Sequence, residues 1–344
     1  MAGSGKAHLR DTDDVLLRVE DIVVEYETEA GTVYAVSNVS LDVRRGETLG
    51  IVGESGCGKS TLGRAMTMLD PPTSGTIDFA GHGVTTLSAS KRRQLRPKLQ
   101  VIFQDPISAL NPRRTVRKII GEGPEIWGRK VSDEQINELI AAVGLDPQAV
   151  GDRRPGEMSG GQCQRVAIAR ALMLEPDVIL CDEPVSSLDV SVQAQVLNLL
   201  ERLREERELT LVFIAHDLGV VKNISDRTAV MYLGKLCEVV PSGDLHRFPS
   251  HPYTRALLEA IPVPDPEVEI LPMEIAGDLP SPLAPPSGCR FRTRCVMATN
   301  RCAAEEPQMR EVRPGHFAAC HYSEDLLARA EAEQASGQEP APVA

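Results

Sequence analysis

No stretch of the 344-residue chain stays apolar for the ~20 residues that a membrane-spanning helix needs. The first fourteen residues, "MAGSGKAHLRDTDD", lack the apolar centre of a secretory signal. The sequence therefore predicts a protein that is soluble or that reaches a membrane through a partner. Basic charge is also short: 37 Lys and Arg stand against 49 Asp and Glu, a net charge of −12. A nucleic-acid footprint is a basic face, so no nucleic-acid partner is expected. No internal repeat and no heptad insertion is present, which leaves one functional unit per chain. What the chain does have is an ordinary globular balance of 42% hydrophobic and 25% charged residues, enough for a core and for two domains.

The pattern of side chains then changes along the chain. "LLRVEDIVVEY" and "VYAVSNVSLDV" alternate apolar with polar residues, which predicts half-buried antiparallel strands. "ETLGIVG" runs into a glycine-rich turn, and "KSTLGRAMTMLD" follows with helical spacing up to Pro71 and Pro72. From about 104 to 177 the chain reads as mostly helical. Ser132 and Gln135 form a capping-box pattern ahead of one helix, and "GGQCQRVAIARALMLEP" reads as another. "DVILCDE" suits a buried parallel strand; "LTLVFIAHD" and "RTAVMYLGKLCEVV" are further strands with a helix between them. Prolines crowd 262–286, which predicts an extended linker holding the last segment apart. The ending "EQASGQEPAPVA" is low in complexity and predicts disorder.

Three motifs carry chemistry. "GESGCGKST", Gly53 to Thr61, sits between a predicted strand and a predicted helix and fits a phosphate-binding loop. Gly53, Gly56 and Gly58 let successive backbone amides, those of Ser55 and Cys57 included, face a phosphate chain, and the following helix adds its positive end. Lys59 is placed to reach the β- and γ-phosphates and Ser60 to offer its hydroxyl to Mg2+, with Thr61 behind it. "VILCDEP" delivers Asp182 at a strand's C-terminal edge, where it can hold the magnesium through water, and Glu183 beside it can deprotonate an attacking water. "MSGGQCQRVAIAR" places Ser159, Gly160, Gly161 and Gln162 at a helix N-terminus, a second anion cradle. A chain with its own phosphate loop has no need of that cradle, which should serve the nucleotide of another subunit.

The order of this loop, Gln104, "SGGQ", "CDEP", "SSLD" and His216 resembles the nucleotide-binding subunit of ATP-binding cassette transporters, over about residues 15–255. The resemblance implies an α/β P-loop NTPase with an antiparallel β subdomain and a helical subdomain. It implies that Tyr26 stacks on adenine, Gln104 senses magnesium and the attacking water, Asp189 bridges to a partner subunit and His216 contacts the γ-phosphate. Met158 stands where the family has Leu, a swap of similar volume. "FQDPISALNPRRTV", "HPYTRALLEAIP" and "PSPLAPPSGCRFRTRC" look like the oligopeptide/dipeptide permease branch of importers, and more like the second of its two ATPases. That branch implies a heterodimer with a partner ATPase, two transmembrane permease subunits, an extracytoplasmic peptide-binding protein and a place on the cytoplasmic face of the membrane. Two other readings stay open: a soluble cassette protein outside transport, and an importer of nickel or glutathione.

Eight cysteines are present. Cys57, Cys163, Cys181 and Cys237 are scattered and read as small buried side chains. Cys289, Cys295, Cys302 and Cys320 cluster with C-x5-C-x6-C-x17-C spacing. Disulfides are disfavoured in a reducing cytosol, Zn2+ sites prefer closer pairs, and an iron–sulfur cluster accepts varied gaps. The permease branch implies a [4Fe–4S] cluster here, with Zn2+ as the alternative. Arg290, Arg292, Arg294 and Arg301 would offset its negative charge. The expected layout is a disordered tail over 1–14, the nucleotide-binding domain over 15–255, the linker with a metal-binding cysteine extension over 256–322, and a helical or disordered tail over 323–344.

Overall fold

The structure, a computed structural model, describes residues 5–260 and 278–336. Most of the proline-rich stretch and the last eight residues of the tail lie outside the described residues. Two compact units are formed. One takes residues up to 44, 48–85 and from 215 onward; the other takes 45–47 and 86–214.

In the first unit, strands Val15–Thr28 and Gly31–Arg44 pair antiparallel from Val15 opposite Arg44 to Thr28 opposite Gly31. Ser74–Phe79 joins on the other side and His82–Gly83 closes the sheet. Leu17, Val19 and Ile22 on one strand and Leu41 and Val43 on its neighbour are fully buried or nearly so, the alternation that the sequence predicts. A second sheet runs Thr48–Val52, Arg227–Tyr232, Lys235–Pro241, His316–Ala318 and Arg310–Arg313. Thr48–Val52 lies parallel to Arg227–Tyr232, and every residue of both is buried, as central strands covered on two faces require.

Two expectations are corrected here. Residues 5–14 are not a loose tail. Lys6 Nζ donates to Glu20 and Asp21 at 2.9 and 2.8 Å, the buried His8 ring bonds the Ser40 carbonyl at 2.6 Å, and Arg10 Nε donates to Asp42 at 2.9 Å. Those partners are 14 to 32 residues away, beyond what local composition reports. The cysteine extension likewise does not stand apart. Its His316–Ala318 strand pairs with Lys235–Pro241, its Phe291 enters an aromatic group with Tyr232, Tyr253 and His251, and Glu333 of helix Ser323–Ser336 takes a 2.9 Å bond from the buried Arg255.

The second unit holds parallel strands Leu99–Ile102, Val178–Asp182 and Thr210–Ile214. Its helices include Val116–Ile126, Asp133–Ala142, Gly160–Leu172 and Val190–Arg207. The predicted capping box forms: Gln135 N donates to Ser132 Oγ at 3.3 Å and Ser132 N to Gln135 Oε1 at 3.0 Å. Gly161 permits two helices to touch, since a Cβ there would come within 2.4 Å of Val192 Cγ1.

The extension's attachment to the first unit passes through Glu238, which is fully buried. Its carboxylate accepts from the Ser250 and His251 amides at 2.8 and 3.1 Å and meets His316 Nε2 at 2.6 Å. Glu238→Leu leaves these three groups buried without an acceptor. The full chain should lose about 3–5 kcal/mol of stability in urea unfolding. A loss below about 1 kcal/mol would show that the carboxylate is not the tie.

Candidate nucleotide site and cysteine cavity

The glycine-rich loop leaves the buried Thr48–Val52 strand at Gly53 and enters helix Lys59–Met66 through Gly58. Gly53 has φ 152° and a Cβ there would lie 2.0 Å from the Met231 carbonyl oxygen; Gly58 has φ 102° and its Cβ would lie 2.2 Å from that of Ala35. Both positions are closed to any side chain, so the tight cradle is imposed by the neighbouring strands. Ser55 and Gly56 are exposed, Ser60 and Thr61 half-buried, and Cys57 buried, its thiol pushed up by burial. Lys59 is only 4% exposed, and its ammonium donates to the Gly53 and Glu54 carbonyls at 2.7 and 3.0 Å. Ala215 N donates to Ile51 O, so His216 follows from a residue anchored to the loop's own strand. Tyr26 keeps 43% of its surface exposed on strand Val15–Thr28, as a stacking residue needs.

In the second unit, Asp182 ends strand Val178–Asp182 and is nearly buried, and Glu183 follows with φ 46°. That left-handed backbone is held by Glu183 N donating to Ile214 O at 3.0 Å. Gln104 Nε2 donates to Glu183 Oε2 at 3.0 Å, so two residues 79 apart in sequence meet. Ser159 caps helix Gly160–Leu172 in a capping box with Gln162, at 3.3 and 3.0 Å. The box takes up the Ser159 and Gln162 amides, so two fewer donors face outward than the motif alone implies. Asp189 heads helix Val190–Arg207 without capping it, and its carboxylate is exposed.

Cys289, Cys295, Cys302 and Cys320 all line one cavity, with Phe291 and Tyr322 among its walls. Cys302 and Cys320 are buried and the other two half-buried. Burial, and then the neighbouring sulfurs, push the Cys295 thiol up to about 11 and the Cys320 thiol up to about 12. Each thiolate would repel the others, a conflict that a cationic centre removes. No group of three or more His, Cys, Asp or Glu among the described residues is arranged to hold a metal ion as the side chains stand. A single Zn2+ would draw four sulfurs to about 3.8 Å from one another, given Zn–S bonds of about 2.3 Å.

The arginines are placed otherwise than expected. Arg292 lines the cavity, but Arg290 turns to Ser37 Oγ and the Leu233 carbonyl, Arg301 to Glu305, and Arg294 to Glu54 of the glycine-rich loop at 2.7 and 3.1 Å. Glu54 and its partners Arg294 and Tyr253 carry no sequence signal, because Glu54 occupies a variable position of the loop motif.

Comparison with known proteins identifies the family. Residues 36–186 match the family described as ABC transporter, and residues 237–302 match the one described as Oligopeptide/dipeptide transporter, C-terminal region. The chain is 50% identical over 302 residues to the oligopeptide transport ATP-binding protein AppF of Bacillus subtilis, covering 86% of this chain and 92% of that one. It is 48% identical over 310 residues to the oligopeptide transport ATP-binding protein OppF of Salmonella typhimurium, covering 85% and 92%. Among solved structures it is similar to an ATP-binding cassette dimer in a post-hydrolysis state with ADP and Pi, at a TM-score of 0.60 and 29% identity, covering 66% of this chain and 99% of that one. This chain belongs to the ABC transporter family, as an ATP-binding subunit that carries the C-terminal region of the oligopeptide/dipeptide transporters.

Proposed function

We propose that the chain hydrolyses ATP to power the import of di- or oligopeptides through a membrane permease. The observation that carries this reading is the union in one chain of an intact phosphate loop, an intact Glu183 and the oligopeptide-type C-terminal region. Its partners are a second ATPase in a head-to-tail heterodimer, two permease subunits and an extracytoplasmic peptide-binding protein. No helix among the described residues is long and apolar enough to cross a membrane, so attachment at the cytoplasmic face falls to the permease.

In this reading the backbone amides of 53–61 and the Lys59 ammonium hold the phosphates, and Tyr26 stacks on the adenine. Ser60 of the first unit, and Gln104 and (through water) Asp182 of the second, are each read as a Mg2+ contact; the ion would offset the phosphate charge. Glu183 takes the proton of the attacking water, and the 3.0 Å bond from Gln104 holds its carboxylate in one orientation. His216 contacts the γ-phosphate. Ser159, Gly160, Gly161 and Gln162 serve the nucleotide on the partner's loop, and the exposed Asp189 bridges the two subunits. A soluble cassette outside transport is not favoured by the C-terminal region.

Glu183→Gln should abolish turnover at this site and keep Mg·ATP binding, because an amide cannot accept the water's proton. With the assembled transporter in proteoliposomes, labelled tripeptide uptake and phosphate release should both fall to background. Undiminished phosphate release with the partner's site disabled would rule out the general-base role. Uptake of nickel or glutathione in place of peptide would keep the ATPase and replace the cargo.

The cysteine cavity is proposed to hold a [4Fe–4S] cluster through Cys289, Cys295, Cys302 and Cys320. Bound there, such a cluster would add folding energy to an extension already tied to the first unit by Glu238 and the His316–Ala318 strand. Anaerobically purified full chain should be brown, with about four irons per chain. Cys295→Ser should remove the colour. One zinc and no iron would replace the cluster by a structural Zn2+ site; neither metal, with four alkylatable thiols in the assembled complex, would end both readings.

A further inference from the structure

Glu54 occupies a variable position of the phosphate loop, yet three groups hold it. Its carboxylate takes two parallel bonds from Arg294, Nη1 to Oε2 at 2.7 Å and Nη2 to Oε1 at 3.1 Å. Its amide donates to Tyr253 Oη at 2.7 Å, and its carbonyl accepts from Lys59 Nζ at 3.0 Å. Exposed ion pairs contribute little, because water screens them and two long side chains must be ordered. This pair differs on both counts. The Arg294 side chain is 8% exposed, and its guanidinium lies 5.9 Å from the Tyr232 ring centroid. Tyr232 in turn packs edge-on against Phe291 and Tyr253, at 5.2 and 4.7 Å between ring centroids. The fork is therefore already ordered before Glu54 meets it, and a bidentate arginine–carboxylate pair is among the stronger hydrogen-bonded contacts.

Arg294 also immediately precedes Cys295, inside the extension. One side chain from the cysteine segment thus reaches the first turn of the loop, 240 residues earlier.

We propose that Arg294 is a positioning residue for nucleotide binding: through Glu54 it fixes the first turn of the phosphate loop, so affinity at this chain's own loop depends on the fold of the cysteine extension. The inference rests on reading 53–61 as the nucleotide cradle. A cradle of backbone amides binds tightly only when it is ordered beforehand, because ordering during binding subtracts from affinity. Release of the Glu54 carboxylate frees the turn that also supplies both carbonyl partners of Lys59.

The test is calorimetric titration of the full chain with Mg·ADP, which is not consumed. Arg294→Met keeps an apolar stem against Tyr232 and removes the fork; Glu54→Gln removes the charge from the other side without touching the extension's packing. Each should weaken Mg·ADP binding by about tenfold, equivalent to ~1.4 kcal/mol. The double variant should be no weaker than the worse single one. Arg294→Lys, which keeps the charge and loses the fork, should lie between wild type and Arg294→Met. A purely structural role for Arg294 would lower the thermal midpoint and leave the affinity of the folded protein unchanged. Binding within about twofold of wild type for Arg294→Met and Glu54→Gln overturns the inference, as do effects that multiply in the double variant. Should Arg294→Met fail to fold, Glu54→Gln decides alone. Lys59→Ala separates the two levels: unchanged Mg·ADP affinity there would sink the cradle reading and this inference with it, whereas a large loss there beside an unaffected Glu54→Gln sinks the inference only.

Discussion

A carboxylate sealed from water must find donors, and Glu238 finds three of them in two segments beyond its own strand. It sits at 0% exposure on strand Lys235–Pro241, accepts the amides of Ser250 and His251, and meets the ring of His316 in the extension. None of these segments can move off without abandoning a buried charge, which costs several kcal/mol. The strand pairing of Glu238 with Ala318 and Val239 with Phe317 follows the same tie. Through this contact the extension becomes part of the core of the first unit, and the cysteine cavity gains His251 and Pro252 as walls.

The same strands carry the phosphate loop. Arg227–Tyr232 lies beside Thr48–Val52, and its Met231 carbonyl closes Gly53 to any side chain. Gly234 N donates to Cys57 O at 2.8 Å, and the Leu233 carbonyl accepts from Arg290 of the extension. A short stretch around 231–234 is thus held by the loop on one hand and by the cysteine segment on the other. The linker's prolines suggested that the two would be independent; in the folded chain they share a backbone neighbour and an ion pair.

What the sequence makes legible, and what it does not, follows sequence distance. Loop, cap and strand-end motifs are readable because their chemistry is local: Ser132 and Gln135 are three residues apart and the structure forms their box, whereas Ser159 and Gln162, read as an open anion cradle, also close into one. The Gln104–Glu183 bond spans 79 residues; motif and resemblance single out the two residues, and only the fold brings them together. Arg294–Glu54, His8–Ser40 and Glu238–His316 join segments 240, 32 and 78 residues apart, through residue types that look like ordinary surface polarity or packing in a linear reading. The arginines around the cysteines illustrate the limit. Their charge was visible, but three of the four turn to oxygens outside the cavity, and only packing decides which way a long side chain points.

The state of Lys59 shows how the loop is prepared for its ligand. An ammonium at 4% exposure has lost most of its water, and among the described residues it pairs with no carboxylate; its hydrogen-bonding oxygens are the neutral carbonyls of Gly53 and Glu54. Two carbonyl dipoles satisfy two of its three donors without neutralising its charge. A carboxylate in the same place would have satisfied it better and would have had to be displaced by the incoming phosphate, at the loss of an ion pair. Carbonyl partners leave the charge uncompensated, so the arriving anion gains the full attraction of a dehydrated cation. Glu54 supplies one of those carbonyls while its own carboxylate takes both bonds from Arg294. In the proposed reading, the arginine from the cysteine segment does two things at once: it orders the turn, and it occupies the Glu54 carboxylate, so that Lys59 stays available for phosphate.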